Sequence, residues 1–184
     1  MKRDSRISTA YHEAGHAVAY FLTDRKFIDV IIKPNQKDNN LGCLRSNNMI
    51  DLNNMKIQKV FNPCFHTLAG VTSEAIYTGR KDHIGASGDY HNIADMIRSC
   101  MEGDDKTTNL FLKFIKSYTY DLIKYNWPFV EIVAKKLTEV ETLSYAEFIK
   151  VNADRFKLSD DALTHYKIKN GSAADFGIKK KPGI

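Results

Sequence analysis

The chain has 184 residues and a formal net charge of +5, with 43% hydrophobic and 27% charged residues, proportions that suit one globular domain with a core of its own. No apolar run approaches the roughly 18 residues that span a bilayer, and the opening stretch MKRDSRIST has no apolar segment behind it, so no secretory signal is visible. The lysines and arginines are dispersed apart from Lys179–Lys181, with no aromatic-plus-basic signature and no Gly-rich phosphate loop, so nucleic acid is not an expected partner.

In chain order, Ser8 to about Thr23 has helical apolar spacing, with Ser8 or Thr9 placed to cap its start. KFIDVIIK (Lys26–Lys33) is apolar and β-branched and reads as a strand. The turn-rich PNQKDNN follows, and then LGCLRS (Leu41–Ser46) as a returning strand, so the two are expected to pair as a hairpin. Ile57–Tyr77 is helical by spacing, with Pro63 expected to break or kink it. TGRKDHIGASGD is a glycine-rich loop, and Tyr90 to about Met101 is the next helix. Helices at about Lys106–Tyr125 and Pro128–Val140 and a short one near Tyr145–Val151 complete the pattern. The expected fold is mainly α with a small β-hairpin or sheet. One domain is expected over residues 1–152, and 153–184 reads as a partly flexible C-terminal extension ending in KNGSAADFGIKKKPGI.

The stretch TAYHEAGHAVAYFL (Thr9–Leu22) carries the chemistry. Positions i and i+4 share a helix face. His12 and His16 can therefore aim imidazole nitrogens at one ion, at the usual zinc distance of about 2.0–2.1 Å. Glu13 lies one step round the helix. It is poorly placed to bind the same ion and well placed to act as base toward a water at the site. The composition gives roughly 0.007 chance matches to this pattern. The cysteines Cys43, Cys64 and Cys100 form no CxxC pair, which argues against a cysteine zinc site. Their odd number and scatter suit free thiols in a reducing, cytoplasmic setting.

The third ligand is less determined. The longer zincin pattern requires glycine and histidine where this chain has Ala19 and Leu22. Glu74 is the glutamate in a suitable following helix, and His66, His83 and His91 are further candidates. Asp89 follows GASG at a loop-to-helix corner. Its alternative use is as an N-cap, worth about 1 kcal/mol to its helix. On residue chemistry alone Asp89 and Glu74 stand nearly level.

Four ordered blocks add to this. TAYHEAGHAVAYFL, LAGVTSEAIYTG, GASGDYHNIADMIRSCM and YDLIKYNWPFVEIVAKKLTEVETLSYAEFIKV resemble the peptidase domain of the FtsH-type ATP-dependent zinc proteases, over about Thr9–Val151. The resemblance implies a helical, zincin-like peptidase domain in which Zn²⁺ is held by His12, His16 and Asp89 and Glu13 is the catalytic base. It implies a supporting role for Glu74. Ala75 and Val71 depart from the family pattern, which has a second glutamate and an arginine at those positions. The family's AAA+ module and membrane helices have no counterpart here, and no GxxxxGK[ST] occurs.

The expected activity is thus zinc-dependent endopeptidase cleavage of unfolded or flexible polypeptides without a motor in the same chain. The expected partners are a polypeptide substrate and either further copies of the chain or a separate ATPase. The competing expectation is a regulatory binding module that keeps the peptidase fold without turnover. An extended substrate needs a holder, and a strand edge grips any sequence through its main chain. Gly42, Cys43 and Leu44 in the Leu41–Ser46 strand are the expected substrate-binding residues, and the resembling family uses the matching strand beside its zinc. The alternative is an ordinary edge strand blunted by Arg45.

Overall fold

The computed structural model describes residues 5–33, 41–47, 57–79, 87–101 and 105–157. In chain order these form α1 (Ser5–Leu22), β1 (Asp29–Ile31), β2 (Cys43–Arg45), α2 (Ile57–Thr78), α3 (Ser87–Met101), α4 (Asp105–Tyr125), α5 (Trp127–Val140), β3 (Thr142–Ser144) and α6 (Tyr145–Lys157). The fold is mainly α with a small antiparallel sheet.

Helix α1 is the hub. It packs against α2 and α5 and touches β1 and β2, while α2 also carries α3 and α4. Its alanines Ala10, Ala14, Ala17 and Ala19 are fully buried, together with Val18 and Leu22. Alanine has the highest helix propensity and lets neighbouring backbones come close. The helix ends where Asp24 turns left-handed (φ 54°). The Arg25 N–H reaches back to the Tyr20 carbonyl at 2.9 Å and the Asp24 N–H to that of Phe21 at 3.1 Å. This paired closure satisfies carbonyls that the helix end would leave bare.

The hairpin pairing expected from the sequence is present, with Val30 opposite Leu44. The sheet also has a third strand that the sequence did not announce. β3 pairs with the other side of β1, Val30 opposite Leu143, and gives the order β2-β1-β3. Its position follows from the end of α5, where Glu141 turns left-handed (φ 62°) and its carbonyl accepts the Ile32 N–H at 2.9 Å. Ser144 and Glu147 then start α6 with reciprocal bonds: the Ser144 N–H donates to Glu147 Oε2 at 2.8 Å, and the Glu147 N–H to Ser144 Oγ at 3.4 Å.

Pro63 lies inside α2, which runs unbroken to Thr78, so the expected break does not occur. Helix α6 continues past Val151 to Lys157, across the boundary expected at 152/153, because no glycine or proline interrupts it. Residues 158–184 of the expected extension lie outside the described residues.

Candidate metal centre

The site is built between α1, α2 and the first turn of α3. His12 and His16 lie one helical turn apart on α1, with Nε2 atoms 3.1 Å from each other. Asp89 comes in from α3. Its Oδ2 is 3.0 Å from His12 Nε2 and 3.9 Å from His16 Nε2. Helix α3 begins at Ser87, two residues before Asp89, so Asp89 occupies the first turn and not the cap. A carboxylate there also suits the positive end of the helix dipole. His12, His16 and Asp89 are the group of donors among the described residues whose ligand atoms all converge.

The other candidates from the sequence go elsewhere. Glu74 Oε2 meets His12 at Nδ1, 3.1 Å away, on the far side of the ring from Asp89. The His66 main-chain carbonyl accepts from His16 Nδ1 at 2.8 Å. The His66 ring is engaged with Thr23 Oγ1 (2.6 Å) and stacks on Tyr20. His91 lies exposed on α3, 3.5 Å from Asp95. His83 and the Ile84–Ala86 part of the loop lie outside the described residues.

Each ring thus has its Nδ1 tied back and its Nε2 pointed inward, the orientation that metal-bound histidines show. Ligands of a tetrahedral ion with bonds of about 2.0–2.1 Å stand about 3.3–3.4 Å apart. The three observed separations bracket that value. Space is reserved as well. A Cβ added to Gly70 on α2 would run into His16 Nε2 and come within 2.9 Å of His12 Nε2. Two imidazoles and one carboxylate form a donor set that suits a divalent transition metal, zinc or iron(II) among them.

The charge balance of the site points the same way. Burial works against a charged His12, but hydrogen bonds to Asp89 and Glu74 outweigh it and raise its pKa to about 10. Burial, and then the charge on His12, lower that of His16 to about 4. Burial pushes Asp89 upward, yet the His12 hydrogen bond and the nearby imidazoles leave it below the ordinary carboxylate range. The carboxylates of Asp89 and Glu74 thus favour positive charge at the His12 ring.

Glu13 lies beside this group, only 4% exposed, and its Oε2 has no hydrogen-bond partner among the described residues. Burial raises its pKa to about 7, against the pull of the His12 charge. Gly42, just before β2, is packed onto it: a Cβ there would come within 2.8 Å of Glu13 Oε1 and of Thr9 Cγ2. Strand β2 is one of the two edges of the described sheet, β3 being the other. At its far end Ser46 Oγ lies 3.2 Å from the hydroxyl of Tyr20. The start of β2 is thus packed closely on α1 at Glu13, and its far end is hydrogen-bonded to α1 at Tyr20. Sequence reasoning missed three participants: Ser8, which bonds Glu74, the His66 carbonyl, and Gly70. The glycine was visible within LAGVTSEA but had no pattern to mark it, and a main-chain acceptor leaves no trace in a sequence.

No protein-family model matches the chain, and no curated protein matches it significantly.

Proposed function

We propose that the chain is a zinc-dependent endopeptidase that hydrolyses peptide bonds in unfolded or flexible polypeptides. Glu13 carries this reading. A buried carboxyl oxygen without a partner, as Glu13 Oε2 is among the described residues, costs about 1–3 kcal/mol. A module kept only for binding, or a purely structural metal site, would gain from an apolar side chain at that position. A base beside three convergent donors has a use only where a proton is to be moved. The choice of the peptide bond as target rests on the four blocks that resemble FtsH-type peptidase domains.

In this reading His12, His16 and Asp89 would hold the ion. When bound, zinc supplies Lewis acidity, making water acidic near neutral pH and polarising a carbonyl. Glu13 accepts the proton of the attacking water on its free Oε2 and returns it to the departing amine nitrogen. Glu74 and the His66 carbonyl hold the two rings in orientation. Gly42, Cys43 and Leu44 offer a main-chain edge to an extended substrate, with Gly42 directly over the base. No described helix is long and apolar enough to cross a membrane. Cys64 and Cys100 are free thiols, which fits a cytoplasmic setting. Unfolding of a structured substrate needs an ATPase motor, which the residues of this site do not supply.

Zinc content and casein cleavage test the reading together. Glu13→Gln is expected to keep its zinc and lose about 10²–10⁴-fold in cleavage, the usual contribution of a general base. Cleavage at the parent rate by Glu13→Gln would rule the mechanism out.

A further inference from the structure

The hydroxyl of Ser8 has an unusual use. Helix α1 starts at Ser5, so Ser8 lies inside the helix and does not cap it. A serine there ordinarily bonds back to its own helix or faces water. Ser8 instead crosses to α2 and donates to Glu74 Oε1 at 2.7 Å. The other oxygen of the same carboxylate, Oε2, faces His12 Nδ1 at 3.1 Å. Ser8 and His12 are four residues apart, on one face of α1. Ser8, Glu74 and His12 thus close a ring across the α1–α2 contact.

We propose that Ser8 is a positioning residue for the metal centre, acting through Glu74 to fix the His12 ring with Nε2 turned toward Asp89 and His16. The proposal rests on the reading of His12 as a metal ligand. The two histidines differ in what holds them. His16 leans on the His66 main-chain carbonyl, which the helix itself keeps in place. His12 leans on a carboxylate at the end of a flexible side chain, and that support needs a peg. Ser8 supplies one by occupying the oxygen that His12 does not use. The same bond keeps Glu74 on the Nδ1 side of the ring. There it supports the ligand and does not compete with Asp89 for the ion.

The test is zinc affinity, measured by competition with a chromophoric chelator on the purified chain, with helical circular dichroism as the check on folding. Loss of a support beyond the ligands typically weakens binding by about 10–100-fold, and this is expected of Glu74→Ala. Ser8→Ala is expected to weaken it by about three- to ten-fold, the worth of one hydrogen bond, and Ser8→Thr to restore it. In the Glu74→Ala background Ser8→Ala should add nothing, since the two act as one unit. Parent affinity in Ser8→Ala, or additive losses in the double variant, would overturn the proposal and leave the metal reading intact. A parent chain that binds no zinc would overturn both.

Discussion

Helix α1 meets its surroundings in opposite ways on two of its faces. Toward α5 and α6 it presents large rings. Phe21 packs edge-on to Phe129 and also against Phe148, and Tyr11 stacks on Trp127. Toward α2 it presents Gly15, where a Cβ would collide with the Ala69 carbonyl and the Ser73 side chain, and the two histidines facing Gly70. One face is filled with rings; toward α2 rings stand at the two ends, Tyr11 on Tyr77 and Tyr20 on His66, and the stretch between them is kept narrow at its glycines. The aromatic face removes apolar surface from water and holds the helix in place. The glycine face gives up that gain so that two imidazoles can be enclosed between backbones. Stability and the candidate chemistry are therefore separated on different faces of one helix.

The largest expected effect comes from breaking the filled face. Phe148 is fully buried and touches Phe21, Phe27, Phe129 and Tyr145. Phe148→Ala should destabilise the chain by about 3–5 kcal/mol, the usual cost of emptying such a site, read by urea unfolding. If the two faces are separate, the folded fraction of the variant will bind zinc as tightly as the parent does. A matching loss of zinc affinity would show that the rings also set the spacing of the ligands.

The glycine face gives the converse test. Alanine is a better helix former than glycine by about 1 kcal/mol, so Gly70→Ala has little reason to unfold α2. Its methyl group would push on the His16 and His12 rings, not on backbone. Overpacking of about 1–3 kcal/mol, set against the helix gain of about 1 kcal/mol, should leave the metal-free chain within about 2 kcal/mol of the parent. Zinc affinity should fall by about ten-fold or more, as for other disturbances just beyond the ligands. Parent-like zinc binding by Gly70→Ala would mean that the ion sits somewhere other than between these rings.

The two faces were unequally legible in the sequence. Periodicity reveals a helix and its apolar side, and α1 to α5 follow the apolar spacing closely. The hairpin was legible too, because its strands are β-branched or short and lie either side of a turn. Strand β3 was not. Three residues carry almost no periodic signal, and its pairing is decided by the left-handed turn at Glu141 and by the free side of β1. In the site, the spacing of His12 and His16 was plain from helix geometry. Asp89 and Glu74 could not be separated by residue type, since either carboxylate could reach an ion. What distinguishes them in space is the side of the His12 ring that each approaches. Ser8 read as a cap because serine favours that position, and only the crossing to Glu74 shows its other use.

The smallest expected effect lies on a third face of α1, where Glu13 and Tyr20 meet the β2 side of the sheet. Successive N–H groups of a strand point to opposite edges. Of Cys43 and Leu44, one therefore donates toward β1 and the other outward, where an extended substrate would lie. Proline at each position in turn removes one donor. At the inward position the loss falls on the sheet, and thermal stability should drop. At the outward position the fold and the zinc content should stay as in the parent, while KM for an unfolded peptide rises about five-fold, corresponding to one hydrogen bond of about 1 kcal/mol. This split separates a substrate edge from an edge strand that merely closes the sheet beside Arg45. If both proline variants cleave with the parent KM, β2 does not hold the substrate. The groove would then have to be formed at the start of α3, on the side of the histidines where Asp89 enters.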